Sequence, residues 1–150
     1  MGVMIETPSA ALLIDQILPH VDFVSIGTND LTQYVLCAER GSAALAAFAD
    51  SLHPAVVRVC QQVIEKCDQA SIKISICGEV ASDPDAIPIL LGLGLREFSV
   101  AAAAIPGTKA LIRTLDAEEI AARLGPKIPS FSAASDGRNF SKSVRERKQR

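Results

Sequence analysis

Three apolar runs in this chain end in residues able to do chemistry. Gly2-Val3-Met4-Ile5 closes on Glu6; Phe23-Val24-Ser25-Ile26 passes through Gly27 and Thr28 into Asn29 and Asp30; and Ile74-Ser75-Ile76 delivers Cys77, Gly78 and Glu79. Carboxylate oxygens suit a hard divalent cation. A thiol, which ordinarily holds its proton at neutral pH, can act as an acid. Taken singly, each residue has a plainer reading: Asp30 as a helix cap or solvated loop residue, Cys77 as a structural thiol, Glu79 as a cap for the next turn. Taken together they have the make-up of a site, because parallel α/β folds collect their chemistry at the carboxyl ends of buried strands.

The elements that must position these residues alternate. A strand over about 3–7 is followed by a helix over 9–18, where Leu13, Ile14, Ile17 and Leu18 recur at helical spacing and Pro8 suits the first turn. A second strand over about 23–28 leads through the Asn29-Asp30 turn into a polar and alanine-rich connection, with a short helix over 43–48. Residues 54–69 predict a longer helix with Val56, Cys60, Val63 and Cys67 on one seam, started by His53-Pro54. A third strand over 73–77 precedes a helix running from Asp83-Pro84 to Leu91, shortened or bent at Pro88. A fourth strand over 97–100 precedes a helix near 106–114. Asp116 and Glu119 then resemble a capping box for a last helix ending at Leu124, stopped by Gly125-Pro126.

Four strand–helix units in about 125 residues have the density of an eight-unit barrel of about 250 residues. The expected fold is therefore α/β, the C-terminal half of a TIM (β/α)8 barrel with about four parallel βα units. A doubly wound open sheet is the competing arrangement.

Composition narrows the class. With 150 residues and 49% hydrophobic content, the chain has material for one ordinary domain. Apolar runs such as 100–105 are far shorter than the roughly 20 residues of a membrane helix. The N-terminus has no signal-like pattern, so the expected location is cytoplasmic. Cys60 and Cys67, seven apart on one helix, lie about 10 Å apart along its axis and cannot bridge; they read as buried packing residues. His20 and His53 read as structural. Charge divides the chain: residues 1–125 carry 15 acidic and 8 basic groups, net −7, and residues 126–150 carry 2 and 7, net +5. The basic, serine-rich end has the composition of a disordered tail, and with no aromatic platform no nucleic-acid partner is invoked.

GVMIETP, DFVSIGTNDLTQY, Glu39-Arg40-Gly41, HPAV, ISICGEVASDP, LLGLGLREFSV and Ala104-Ile105-Pro106, in this order over about residues 2–124, resemble the C-terminal phosphoenolpyruvate-binding barrel of Enzyme I of the bacterial sugar phosphotransferase system. The resemblance implies transfer of the phosphoryl group of phosphoenolpyruvate to a protein histidine. It implies Glu6 and Asp30 as ligands of Mg²⁺, Asn29 and Arg40 as binders of the substrate phosphate, and Cys77 as the acid that protonates the enolpyruvate methylene carbon, with Glu79 beside it. Implied partners are phosphoenolpyruvate and pyruvate, a second copy or a complementary N-terminal fragment and, for the full-length enzyme, the histidine phosphocarrier protein; no membrane is involved.

The phospho-accepting histidine and the first barrel half, with its further arginines, are not in this sequence. The expectation is a truncated or split portion with little activity alone. Two other readings stand beside it: a non-catalytic dimerisation or phosphoenolpyruvate-sensing module, and a pyruvate-type aldolase. Glu6 in MIET would fit an aldolase, but GTNDLTQ with ICGE argues against one.

Overall fold

In the computed structural model, residues 1–39, 41, 45 and 48–147 are described. Four strands, β1 (Gly2–Ile5), β2 (Phe23–Gly27), β3 (Lys73–Cys77) and β4 (Glu97–Phe98), form one parallel sheet in the order β1-β2-β3-β4. Each strand thus pairs with the next in sequence, as in part of a barrel wall. The register aligns Ile5, Ile26, Ile76 and Phe98 in one row and Val3, Val24 and Ile74 in another. These rows face the helices, and Ile5, Val24, Ile26 and Ile76 are fully buried there.

The alternate residues face away. Gly2, Phe23 and Lys73 make one row, and Met4, Ser25, Ser75 and Glu97 the next. Met4 and Phe23 are 47% and 50% exposed, so this face is open among the described residues. A doubly wound sheet is covered on both faces and reads as continuous apolar strands. Alternation in β2 and β3 instead matches a sheet with helices on one side.

The helices largely follow the sequence pattern. The segment expected as one helix over 9–18 is two short pieces, α1 (Pro8–Leu12) and α2 (Ile14–Ile17), with a 3₁₀ turn at Leu18–His20. Thr7 caps α1 by accepting from the Ala10 N–H at 3.2 Å, and Ala11, Ile14 and Leu18 still give the pair one buried face. A helix that the local pattern did not suggest, α3 (Thr28–Leu36), starts directly from β2 with Gly27 as its N-cap. Thr, Asn and Asp are weak helix formers, so burial of Thr28, Leu31 and Thr32 carries it. α4 (Pro54–Gln69) is the long helix expected, and His53 Nδ1 accepts from the Ala55 N–H at 3.2 Å to start it. The short helix expected over 43–48 falls mostly on residues outside the described set.

After β3 comes a 3₁₀ turn, Glu79–Ser82, and then α5 (Ile87–Gly92). Asp83 does not cap a helix: its carboxylate accepts from the Asp85 N–H at 2.8 Å in a local turn. Pro88 lies in the first turn of α5, so the helix is short as expected, six residues starting at Ile87 rather than at Pro84. α6 (Ile105–Arg113) precedes α7 (Ala117–Leu124), and Asp116 Oδ1 accepts from the N–H groups of Glu118 and Glu119 at 3.0 Å each.

The basic C-terminal segment is ordered through residue 147, contrary to its composition. A 3₁₀ turn at Ile128–Ser130 leads to α8 (Ala134–Arg147), and Ile128, Phe131, Phe140 and Val144 are all buried. Its few apolar residues fall where they dock, each stabilising by about 1.5–3 kcal/mol when fully buried. Arg58 of α4 donates to the carbonyls of Pro129 and Phe131 at 3.1 and 3.3 Å. Arg123 and Lys127 stand 5.7 Å from the centre of the Phe140 ring. Of the segment's own charges, Lys127 is thereby used in a contact.

Candidate functional site

The parallel register brings the ends of β1, β2 and β3 side by side, with Gly27 opposite Cys77. Two glycines make the close approach possible. At Gly27 a Cβ would lie 2.6 Å from Glu6 Cγ and 2.7 Å from Glu6 Oε1, so the Glu6 side chain reaches across β2 at the N-cap of α3. Asp30 sits in the first turn of the same helix, where the helix dipole favours a carboxylate. At Gly78, φ is +96° and a Cβ would meet Thr28 Oγ1 at 2.4 Å and Asn29 Oδ1 at 2.9 Å. Only glycine meets both the conformational and the steric demand.

Hydrogen bonds lock the three strand ends together. Thr28, 1% exposed, donates its hydroxyl to the Cys77 carbonyl at 2.7 Å, joining the start of α3 to the end of β3. Asn29 Oδ1 accepts from the Glu79 N–H at 3.2 Å. The Cys77 thiol donates to the Ile26 carbonyl at 3.5 Å. Cys77 continues the row of Lys73 and Ser75 on the open face of the sheet.

The other cysteines differ. All four are free; Cys60 and Cys67 are buried in α4, Cys37 is exposed, and Cys77 is half-buried. Burial pushes the Cys60 thiol up to about 12 and Cys67 to about 11, because the interior disfavours the thiolate. Among the cysteines, only Cys77 is at the strand ends.

Of the residues singled out from sequence, Glu6, Asn29, Asp30, Cys77 and Glu79 therefore stand at one end of the sheet. Arg40 lies outside the described residues. Thr28, a strut from the start of α3 to the end of β3, had no assigned role; its place between Gly27 and Asn29 was the available signal. Among the described residues no three His, Cys, Asp or Glu side chains group as a metal cluster. Mg²⁺ does not require one, since it is usually held by one or two carboxylates with waters and substrate oxygens. The carboxylates of Glu6, beside Gly27 at the α3 N-cap, and Asp30, in the first turn of α3, have the oxygen chemistry for that role.

The family described as PEP-utilising enzyme, PEP-binding domain matches residues 1–117. This chain belongs to that family. The matched stretch of this PEP-binding domain contains all six residues singled out above, and ends where α7 begins. Among relatives, the phosphoenolpyruvate-protein phosphotransferase of Haloferax volcanii is 44% identical over 126 residues, covering 82% of this chain and 22% of that protein. Its namesake in Geobacillus stearothermophilus is 42% identical over 141 residues, covering 94% and 24%. The multiphosphoryl transfer protein of Rhodobacter capsulatus is 46% identical over 112 residues, covering 75% and 14%. The chain thus spans less than a quarter of the length of each of these relatives. No described helix is long and apolar enough to cross a membrane.

Proposed function

We propose that this PEP-binding domain supplies the cation- and phosphate-holding part of a phosphoenolpyruvate site in a cytoplasmic phosphoenolpyruvate-protein phosphotransferase, within a TIM barrel completed by further chain or a second copy. The observation that carries the reading is the junction of three strand ends across Gly27 and Gly78, which sets two carboxylates, an amide and a thiol at one rim.

Glu6 and Asp30 would hold Mg²⁺, which when bound offsets the charge of the substrate phosphate. With its carbonyl engaged by the Glu79 N–H, Asn29 turns its amide donors to the phosphate. Arg40 adds a planar fork of donors. As the phosphoryl group leaves for a histidine acceptor, the bond between phosphorus and the enol oxygen breaks and that oxygen keeps the electron pair. The enolate that remains takes a proton at its methylene carbon from the Cys77 thiol, yielding pyruvate and a thiolate that regains its proton from water. Glu79 stays at the edge, fixing Asn29 through its backbone. The histidine phosphocarrier protein is the acceptor further downstream in the complete enzyme.

A thermal-shift titration with Mg²⁺ and oxalate, an analogue of the pyruvate enolate, tests the reading. Ligand at about 100 times its Kd raises stability by about 2.7 kcal/mol. Glu6→Ala and Asp30→Ala should abolish the Mg²⁺-dependent shift, whereas Cys77→Ala should keep it. Absence of any shift in the unaltered chain at millimolar oxalate and Mg²⁺ would remove phosphoenolpyruvate binding from the chain's own repertoire.

A further inference from the structure

Helix α8 lies outside the family match, yet it reaches the rim on which the site is built. Gly137 is buried against α5 and the loop before α4: a Cβ there would stand 3.0 Å from Ile89 Cδ1 and 3.9 Å from Leu52 Cβ. Glycine is disfavoured inside a helix, and here it permits the close approach that brings the next residue, Arg138, between two loops. Arg138 Nη2 donates to Asp50 at 2.8 Å, and Nη1 donates to Asp85 at 3.4 Å and lies 3.8 Å from Asp83. Arg145 pairs with the other oxygen of Asp85, and the buried Ser141 hydroxyl donates to the Asp85 carbonyl.

Both loops lead back to Asn29. Asp50 holds the Leu52 N–H at 2.9 Å and precedes Ser51, whose hydroxyl bonds Thr32 Oγ1 at 3.2 Å. Thr32 lies one turn beyond Thr28 and Asn29 on α3. On the other side, the Asp83 N–H donates to the Val80 carbonyl at 3.2 Å and closes the turn that begins at Glu79, whose own N–H holds Asn29. Between the loops is an open cavity of about 380 Å³ lined by Asp50, Ser51, Glu79, Asp83 and Arg138. Where packing leaves that gap, the guanidinium spans it.

We infer that Arg138 is a positioning residue: by tying the loop before α4 to the turn after Cys77, it sets Asn29 and Glu79 at the spacing the phosphate site needs. The functional half of this inference rests on the phosphoenolpyruvate reading; the mechanical half stands on contacts alone. Amide hydrogen exchange and oxalate–Mg²⁺ binding, measured on the same 150-residue chain, separate the two.

Arg138→Ala should raise exchange at Leu52, Glu79, Ala81 and Asp83 about tenfold beyond any change at Ile120 of α7. It should weaken Mg²⁺-dependent oxalate binding about tenfold, the low end of what loss of an outer-shell partner costs a metal site. Arg138→Lys, which keeps the charge but not the fork, should recover part of both. Val144→Ala loosens α8 through its apolar contact and should raise exchange without that loop selectivity. Should Arg138→Ala not fold, Asp50→Asn removes one arm of the bridge and should reproduce the pattern. Uniform exchange changes, or oxalate bound as tightly as by the unaltered chain, would overturn the inference. If the unaltered chain binds no oxalate while the loop-selective exchange appears, the bridge stands and the phosphoenolpyruvate reading fails.

Discussion

The two faces of the sheet are made from the same strands and have opposite natures. On the helix side, Ile5, Val24, Ile26 and Ile76 are wholly buried and no polar strand residue interrupts them. On the open side Met4, Phe23, Ser25, Ser75, Lys73 and Glu97 are mixed, and the row ends in Cys77. A period of two lets one segment serve both purposes, since successive residues point to opposite faces. Stability is thus concentrated on one side, leaving the other free to carry groups chosen for chemistry.

The contrast can be broken most forcefully at the centre of β2. Ile26→Ala should cost about 2–5 kcal/mol in a denaturant titration, whereas its neighbour Ser25→Ala should stay within about 0.5 kcal/mol. Similar losses at both positions would mean that the open face is also a packed core.

At the rim, where the two faces meet the site, Gly78→Ala should cost about 1–3 kcal/mol. It forces a side chain into a positive-φ position and against Thr28 and Asn29. The Mg²⁺–oxalate shift should fall with it, because the same contact displaces Asn29. Full retention of that shift in a destabilised variant would uncouple the glycine from the site.

A last comparison is between thiols. Cys60 and Cys67 are raised above their ordinary value of 9.0 by burial. Below about pH 9 the thiols are protonated in folded and unfolded chains alike, and the folded state keeps its full advantage. Above it the unfolded chain loses protons that the folded chain retains, so stability should fall with rising pH until the folded values of about 11 and 12 are passed. Cys60→Ala should flatten that slope. At neutral pH a thiol reagent should modify Cys37 and Cys77 and spare the two in α4; rapid labelling of all four would contradict the packing on the helix side.

Sequence reading succeeded where one physical signal dominated. Strand ends carrying Glu6, Asn29, Asp30, Cys77 and Glu79 announced themselves through apolar runs ended by polar residues, and the Pro8 and Pro54 helix starts through first-turn chemistry. It failed where tertiary contacts overrode composition. α3 opens with Thr-Asn-Asp, a turn-like run that becomes helical because Leu31 is buried. α8 is rich in Ser, Lys and Arg, and its order depends on two phenylalanines, a valine and an Arg138–aspartate bridge, none of which local pattern can rank. The role of Thr28 was hidden for the same reason: its partner, the Cys77 carbonyl, belongs to a distant strand.

The separation between those partners bears on how the chain folds. Thr28 and Cys77 are 49 residues apart, while the β1–β2 unit is closed by a contact between Met1 and Asp22, only 21 apart. Loop-closure entropy grows with the logarithm of length, so the longer closure costs less than about 1 kcal/mol more than the shorter. Delay comes instead from order of assembly: α4 lies within that loop and packs against α3 and β3, so it must seat before β3 can align. On this account the first strand pair matures early and the rim bearing Asn29 and Cys77 is completed late. A sheet of β1 and β2 alone would then carry Glu6, Asn29 and Asp30 but lack Cys77 and Glu79.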